Sequence, residues 1–346
     1  MLYAIPALLD AEFCVGVFTE NPKFLENFPP DIRNRIKALY IRGTSAFPKF
    51  VYLHLIFEWI KMKKLQGIAR NYDIIFNVRA RNLYDPIFSS DAKAVYHLYG
   101  PMITHWHAYK EYPQNLMKAY FLLLDKIFLN RCKKAVVLAN SHFTRRVLAR
   151  QGIVSEVVYP PCEISDLNPL QRKNNQVISV ARIAIEKKLE DFITIARHFS
   201  NVKFIILGEV NVKDLTYYHR LEKLKTSNVN IVTPSHNKFR EFLRKHLAES
   251  KIYLHSAYDE PFGITIVEAM ASGCIPIVRN SGGPVEIVTK EVGFKWNSIR
   301  EAVTQISRIL SDKDLQEKLS FGAIQRAQTF NPEVFQEKII EIIQKL

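Results

Sequence analysis

Short apolar runs alternate with amphipathic segments along the sequence, and this alternation restricts the possible folds more than any other feature. The apolar runs have the composition of strands, and the segments between them carry apolar residues at helical spacing. In the first half, the strand-like runs lie at 13–18, 72–78, 94–100, 135–141 and 156–162, and the helical segments at 49–69, 114–132 and 142–151. The alternation predicts an α/β fold with parallel sheets.

The second half repeats the pattern after a proline-rich connection, residues 159–176, which is typical of a linker. Pro332 marks the start of a last helix, which either crosses back onto the first domain or covers its own. Strand-like runs of this half begin at Gln176, Lys203, Asn230, Ile252 and Ile275. We therefore predict two Rossmann-like domains at 1–165 and 177–328, a linker at 166–176 and a C-terminal helix at 329–346.

Length and cysteine usage narrow the class of protein. A chain of 346 residues is long enough for two α/β domains that each bury a core. Its four cysteines are far apart and form no C-x-x-C pair, so neither a zinc ribbon nor a disulfide scaffold is indicated. No long apolar run and no signal-peptide pattern occur. We expect a cytoplasmic protein, either soluble or peripheral at the inner face of a membrane.

The net charge of +14 is concentrated in the first half of the chain. There, residues 47–64 and 115–134 combine apolar and aromatic side chains with terminal cations. Such segments are either core helices with solvated lysines or surfaces that contact an anionic membrane, and the second interpretation predicts peripheral membrane contact through the N-terminal domain. No helix-turn-helix, zinc finger or RNA-binding motif accompanies the charge, so nucleic acid is not an expected partner.

Residues 259–273, DEPFGITIVEAMASG, place two carboxylates eight positions apart around a Pro-Phe-Gly turn. A helix that begins near Gly263 would offer free N–H groups to a phosphate. Glu268 would lie on the same helix face as Thr265, where a carboxylate accepts hydrogen bonds from the hydroxyls of a ribose. Glu260 lies before the turn, where it could face a sugar. The alternative is an exposed Glu pair at a helix entrance.

Two flanking segments strengthen the first interpretation. Arg182 follows the end of a strand, and Lys187 and Lys188 precede a helix, so these cations are placed where they can bind a diphosphate. The alternative is that they are the ordinary charged residues at the start of a helix. Downstream, Gly282 and Gly283 permit a tight turn before a helix. All three segments connect a strand end to a helix start, so they converge at the carboxyl edge of one parallel sheet, where open α/β folds bind ligands.

The Glu260–Glu268 pair resembles the E-x7-E signature of retaining glycosyltransferases of family 4, and Arg182 with Lys187 resembles the R-x4-K element of that family. The resemblance is strongest over residues 135–290 and implies a GT-B fold, with two Rossmann-like domains facing across a cleft. It further implies that Glu268 binds the ribose and Glu260 lies against the donor sugar. Backbone contacts to sugar and diphosphate would come from the turn, and the base would lie near residues 232–235. Besides Glu268, the resemblance implies seven further donor-binding residues, which are Gly263, Ile264, Thr265, Lys188, Thr233, Gly282 and Gly283.

Two features depart from the family pattern. No glycine pair precedes the strand at 13–18, so we expect the first βα unit of the N-terminal domain to be lacking or altered. The histidine that touches the donor sugar in the family is assigned first to His97, then to His107 and then to Tyr99 as a hydroxyl substitute, although a lone histidine is more often structural. His105 and His107 have H-x-H spacing, but no third ligand accompanies them, so no metal is expected.

The resemblance implies a hexosyltransferase that acts with retention and needs no cofactor. It is closest to SGGP-bearing enzymes that elongate lipid-linked oligosaccharides. The expected donor is a nucleotide sugar of the GDP-mannose or UDP-glucose type, and the expected acceptor is a hydroxyl of a glycan or lipid-linked glycan. Glu260, Arg182, Lys187 and His97 would serve the reaction. The alternatives are a non-catalytic or partner-dependent nucleotide-sugar-binding protein and another GT-B enzyme, such as an epimerase or phosphorylase.

Overall fold

The computed structural model describes residues 3–19, 23–40, 67, 70–77, 93–98, 130, 132–170 and 173–346. The chain divides into two compact units. Unit 1 comprises Met1–Asn140, Thr144–Tyr159 and Glu333–Leu346, and unit 2 comprises Ser141–Phe143 and Pro160–Pro332. The main division thus falls between Tyr159 and Pro160, ahead of the linker predicted at 166–176.

The described residues contain twelve strands and eleven α-helices, numbered in chain order. The strands are β1 (Gly16–Thr19), β2 (Lys37–Tyr40), β3 (Ile74–Asn77), β4 (Lys93–Leu98), β5 (Val136–Ala139), β6 (Glu156–Val157), β7 (Asn174–Val180), β8 (Lys203–Leu207), β9 (Val229–Val232), β10 (Ser250–His255), β11 (Ile275–Arg279) and β12 (Phe294–Trp296). The helices are α1 (Ala4–Asp10), α2 (Pro30–Arg35), α3 (His142–Ala149), α4 (Leu189–Ala196), α5 (Leu215–Leu224), α6 (Phe239–Glu249), α7 (Ile264–Ala271), α8 (Pro284–Ile287), α9 (Ile299–Ser311), α10 (Lys313–Ala327) and α11 (Pro332–Gln344).

Unit 1 contains a four-stranded parallel sheet with the order β3-β4-β5-β6, and a separate parallel pair, β1 with β2. In β4, every residue from Ala94 to Leu98 is buried, as expected for a strand that is covered on both faces. The first described elements are α1 and then β1, and the residues between them contain no glycine pair.

The last helix belongs to unit 1. Pro332 starts α11 at the N1 position, where a missing N–H costs nothing. Four apolar residues on one face of α11 pack with Val95 of β4 and Leu138 of β5. They are Phe335, Ile339, Ile342 and Ile343, spaced at helical intervals. Gln336 Nε2 also donates to the carbonyl of Tyr3 at 2.8 Å. The sequence left two alternatives for this helix, and the structure agrees with the first, in which it packs on the sheet of the N-terminal domain.

Unit 2 contains a six-stranded parallel sheet with the order β12-β11-β10-β7-β8-β9. The chain runs from β7 outward to β9 on one side and then returns to the other side of β7 with β10. This reversal puts the topological switch point between β7 and β10, and ligands of open α/β sheets bind outside the carboxyl ends of the strands at such a point. The residues that follow β7, β10 and β11 therefore share one edge of the sheet.

Most sequence-based strands are present, with three differences. The run at 156–162 is a strand only over Glu156–Val157, because Pro160 and Pro161 have no N–H to donate to a neighbouring strand. Strands β2 and β12 were not predicted from the sequence, since both are short and lack a continuous apolar run. The segments predicted as helices at 49–69 and 114–132 lie almost wholly outside the described residues, as do Tyr99, His105 and His107.

Across the described ranges, no helix is long and apolar enough to cross a membrane. The same ranges contain no group of three His, Cys, Asp or Glu side chains arranged to hold a metal ion.

Candidate active site

Two turns at the carboxyl edge of the unit 2 sheet pack against each other. We call residues 259–263, after β10, the acidic turn, and residues 281–283, after β11, the glycine turn. The backbone N–H of Asp259 donates to Ser281 Oγ at 3.1 Å, and that hydroxyl donates to the Asp259 carboxylate. Asp259 has a positive φ of 49°. These bonds hold a backbone conformation that is uncommon for a residue with a side chain.

The glycine turn needs its glycines because it lies directly on the backbone of the acidic turn. The N–H of Gly283 donates to the carbonyl of Glu260 at 2.7 Å. A Cβ at Gly283 would lie 2.8 Å from Phe262 Cα, and a Cβ at Gly282, whose φ is +74°, would lie 2.7 Å from Glu260 N. The two glycines thus allow a close approach to protein backbone. It fixes the position of the turn that carries Glu260.

Glu260 is held by a cation from the neighbouring strand end. Lys187 Nζ donates to Glu260 Oε2 at 2.5 Å, and His255 Nε2 lies 3.7 Å from the same oxygen. Burial raises the pKa of Glu260, but the interactions with His255 and Lys187 outweigh it and lower the pKa to about 2. Ser256 Oγ donates to the carbonyl of Lys187 at 2.8 Å and joins the ends of β7 and β10. Glu260 is therefore a carboxylate at the switch point.

The other two predicted diphosphate ligands lie in the same loop after β7. Arg182 forms an ion pair with Glu186, and both side chains are about half exposed. Lys188 has a left-handed backbone, with φ of 51° and ψ of 44°, between a 3-10 turn and α4. Of the two lysines, Lys187 contacts Glu260. This loop, residues 182–188, which we call the cationic loop, thus gathers three cations at one strand end, with Glu186 and Glu260 as partners for two of them.

Helix α7 begins at the end of the acidic turn. Gly263 precedes it with φ of +114°, a conformation that favours glycine. Ile264 at the first helical position is exposed, and Thr265 Oγ1 lies 2.7 Å from the hydroxyl of Tyr253. The Tyr253 hydroxyl also donates to the carbonyl of Val180 at 3.1 Å. Because this phenol has only one proton, it accepts from Thr265, which ties the start of α7 to strands β7 and β10.

Glu268 lies in the second turn of α7 and is only 8% exposed. Arg240 Nη1, from α6, donates to Glu268 Oε1 at 2.6 Å. The same guanidinium binds the carboxylate of Asp166. Burial raises the pKa of Glu268, and Arg240 opposes that rise. The second glutamate of the motif is therefore paired with a cation, as the first is, and this cation is an arginine of α6.

A buried arginine lies at the end of β11, just before the glycine turn. Arg279, the last residue of β11, is buried between two aromatic rings, with its guanidinium carbon 4.1 Å from the Tyr258 ring centroid and 3.6 Å from that of Trp296. It also forms an ion pair with Asp191 of α4. Trp296 Nε1 donates to the carbonyl of His255 at 3.2 Å. These contacts connect β11, β12 and β10 with the helix that follows the cationic loop.

Two predicted residues lie away from this cluster. Thr233 follows β9, two strands from β7, and is exposed at the same sheet edge. His97 lies within β4 of unit 1, fully buried. Its Nε2 donates to the carbonyl of Val158 at 3.0 Å, because a carbonyl only accepts, and its ring stacks on Phe335 with a centroid distance of 5.6 Å. Those contacts give His97 a structural role, and the sugar contact predicted for it stays a prediction.

Sequence reasoning did not single out four residues that shape the site: Arg240, Asp166, His255 and Arg279. Only His255 carried a signal, since it ends a strand-like run beside the acidic turn. Arg240 is one of several cations on a charged helix, and no spacing links it to Glu268, 28 residues later. Arg279 and Asp191 are 88 positions apart. Such pairs become visible only when the order of the strands is known.

Residues 162–326 match the family model described as "Glycosyl transferases group 1". The chain is 26% identical over 214 residues to a "GDP-Man:Man(3)GlcNAc(2)-PP-Dol alpha-1,2-mannosyltransferase" of Dictyostelium discoideum, covering 55% of this chain and 42% of the relative. It is 33% identical over 180 residues to the protein of the same description from Xenopus laevis, covering 45% and 37%. The chain thus spans less than half of the length of these two relatives.

The fold is also similar to that of the Anabaena protein HepE, whose structure was solved in complex with UDP and glucose. The TM-score is 0.76 at 19% identity, over 100% of this chain and 95% of the other. At this identity the likeness concerns the fold. The chain therefore has the GT-B fold predicted from its sequence, and its match to glycosyl transferases group 1 supports a glycosyltransferase.

Proposed function

We propose that the protein transfers a hexose from a nucleoside-diphosphate sugar to a hydroxyl of a lipid-linked glycan, with retention at the anomeric carbon. The observation that carries the proposal is the Lys187–Glu260 pair, which joins a cation and a carboxylate across the switch point of unit 2. A diphosphate needs cations there, and a sugar needs a carboxylate to orient its hydroxyls. Both are present within one hydrogen-bonded edge of the sheet.

In the proposed reaction, Lys187 and Arg182 bind the diphosphate and stabilise the negative charge that develops as it departs. Both cations are paired with carboxylates of the chain, so a bound diphosphate would replace Glu260 and Glu186 as their partner. Glu260 would then be released toward the sugar. Attack from the same face, assisted by the departing phosphate, preserves the anomeric configuration. We propose that these two cations serve without a metal ion, so chelation of divalent metals should leave the rate unchanged.

The donor is proposed to be GDP-mannose, because the Dictyostelium and Xenopus relatives are described by that donor and by a lipid-diphosphate-linked acceptor. UDP-glucose is the rival, favoured by the UDP and glucose bound to the structurally similar HepE. The base would lie near Thr233, with Glu268 on the ribose. Lys188, Gly263, Ile264, Thr265, Gly282 and Gly283 keep their proposed places around the donor.

Calorimetry tests the donor site. GDP-mannose, UDP-glucose, GDP and UDP are titrated into the wild-type protein and into the Arg182→Ala variant. Loss of one charge-assisted contact should weaken binding by about 1.5–3 kcal/mol. The matched control is Arg197→Ala, which removes an exposed arginine that donates to the carbonyl of Leu224, away from the cationic loop. Equal affinity of Arg182→Ala and wild type would overturn the role of Arg182, and no binding by folded wild-type protein would overturn the donor site.

Transfer and stereochemistry need a second assay. Incubation with the bound donor and a short-chain lipid diphosphate oligosaccharide should give a product whose new linkage has the donor's anomeric configuration, read from the one-bond carbon–proton coupling constant of the anomeric carbon. Inversion would contradict the retaining mechanism while leaving the transferase intact. Donor binding without transfer to any such acceptor would favour a nucleotide-sugar-binding protein.

We also propose a peripheral contact with an anionic membrane at the cytoplasmic face. The support is the basic and aromatic composition of residues 47–64 and 115–134, most of which lie outside the described residues, and the lipid-linked acceptor in the relatives' descriptions. Co-sedimentation with vesicles that contain phosphatidylserine, but not with purely zwitterionic vesicles, is the expected result at low salt. Equal recovery with both vesicle types would contradict an electrostatic contact.

A further inference from the structure

We infer that Arg240 is a positioning residue that holds Glu268 in one orientation and in its ionised form for the nucleoside. The inference rests on the proposed role of Glu268 toward the ribose. Arg240 lies on α6, and Glu268 lies on α7, so the pair joins two helices that flank β10 in the sequence. No motif of the sequence assigns a function to Arg240.

The geometry around Arg240 fixes its guanidinium from one side and leaves the other side to Glu268. Its Nε donates to Asp166 Oδ2 at 3.1 Å, and its Nη2 donates to Asp166 Oδ1 and to the carbonyl of Glu163 at 2.8 Å. The remaining nitrogen, Nη1, donates to Glu268 Oε1 at 2.6 Å. A planar guanidinium bound at Nε and Nη2 has its Nη1 direction determined, which a flexible lysine would not achieve.

The same contacts determine the charge of Glu268. Its carboxyl is almost fully buried, and burial raises its pKa. Arg240 opposes that rise by its charge and its hydrogen bond, whereas the negative charges of Asp166 and Glu163 reinforce it. The titratable groups that also face Glu268 are Cys162 and Tyr253, both of which have a raised pKa. Arg240 is therefore the cation that limits the rise in the pKa of this carboxyl.

An ionised Glu268 matters because a carboxylate accepts hydrogen bonds from both hydroxyls of a ribose, whereas a protonated carboxyl has lost part of that capacity. The bond from Arg240 to Oε1 also restricts the orientation of the carboxylate. Asp166 and Glu163 lie in the segment that follows the unit boundary at Pro160. That segment, which the sequence predicts as part of the proline-rich connection at 159–176, thus supports the nucleoside site through Arg240.

Helix α6 also offers a matched control. Arg244 lies one turn after Arg240. Its Nη1 is 3.6 Å from Asp166 Oδ2, and its side chain is 49% exposed. The two arginines share a helix, a charge and a carboxylate partner. Among their described ion pairs, only that of Arg240 reaches Glu268.

The experiment measures binding of GDP and UDP by calorimetry from pH 5.5 to 8.5 for wild type, Arg240→Gln, Arg240→Lys, Arg244→Gln and Glu268→Gln. For the nucleotide that wild type binds, Arg240→Gln should lose about tenfold in affinity at pH 6, and the loss should shrink as the pH rises and Glu268 ionises. Arg240→Lys should keep a flat pH profile with a smaller loss, since it retains charge without the fork. Arg244→Gln should stay within about twofold of wild type.

Each contrary result has a distinct meaning. If Arg240→Gln binds as tightly as Arg244→Gln, or if its loss does not change with pH, the positioning role of Arg240 is wrong. If Glu268→Gln binds normally, the ribose role fails and the inference fails with it. If wild type binds neither nucleotide, the proposed function itself fails. Circular dichroism checks that Arg240→Gln is folded, and if it is not, the loss by folded Arg240→Lys decides instead.

Discussion

Polar side chains singled out from the sequence lie in different surroundings in the two units. In unit 1, His97 lies in the middle of β4, where α11 stacks Phe335 on its ring and the backbone of Val158 accepts its proton. In unit 2, Glu260 and Glu268 lie after the end of β10, where a turn and a helix start hold them next to cations. A polar side chain within a strand is enclosed by the core, whereas one just beyond the carboxyl end of a strand reaches the edge where ligands bind.

The largest expected effect concerns the packing of the two turns in unit 2. Gly283→Val should lower the free energy of unfolding of unit 2 by more than about 3 kcal/mol, because its side chain would displace the backbone at Phe262. Denaturant unfolding followed by circular dichroism measures the loss. The control is Gly67→Ala in unit 1, where an added Cβ meets no atom within 4 Å. Similar stabilities of both variants would show that the edge of unit 2 is not rigidly packed.

The next effect tests the enclosure of His97. Burial lowers the pKa of its ring to about 4, so the unfolded state takes up a proton first as the pH falls below 6.5. Stability present above pH 6.5 should therefore be lost between pH 6.5 and 4, by about 3 kcal/mol. The measurement is the difference in unfolding free energy between wild type and His97→Gln, which does not titrate. A difference that is constant across this window would mean that His97 is accessible to protons from solvent in the folded state.

A smaller effect, in a lower pH window, is expected for Glu260. Its folded pKa of about 2 lies below the ordinary 4.5, so stability present above pH 4.5 is lost as the pH falls toward 2. Since the side chain is 20% exposed, we expect a loss of about 2 kcal/mol, less than the full shift would give. Acid unfolding of wild type is compared with that of Glu260→Gln. If the two curves run parallel from pH 5 to 2.5, the pair with Lys187 does not stabilise the fold.

The smallest effect separates binding from folding. Arg182 is paired with Glu186 at the surface, so Arg182→Ala should change the free energy of unfolding by no more than about 0.5 kcal/mol. Thermal unfolding without nucleotide gives this value, and the calorimetry described above gives the change in donor affinity. A stability loss as large as that of the turn variant would make Arg182 part of the scaffold and would weaken its assignment to the diphosphate.

The sequence predicted the class of fold and the location of the site because both depend on local patterns. Apolar runs in the C-terminal half marked the strands, and the polar residues directly after those runs marked the edge. Glu260, Lys187 and the glycine turn were found in this way and lie together in the structure. His97 was assigned instead from the resemblance to the family, and the structure places it within a strand, inside the core of unit 1.

What the sequence by itself determined is the alternation of strands and helices and the set of residues at the strand ends, since each follows from neighbours along the chain. The GT-B fold was implied by the resemblance of two motifs to a known family. The tertiary structure alone decided the partners of those residues. Lys187 and Glu260 are 73 positions apart, and they meet because β10 returns to lie beside β7. Arg240 reaches Glu268 for a similar reason, because the packing of α6 and α7 sets the contact and no periodicity records it.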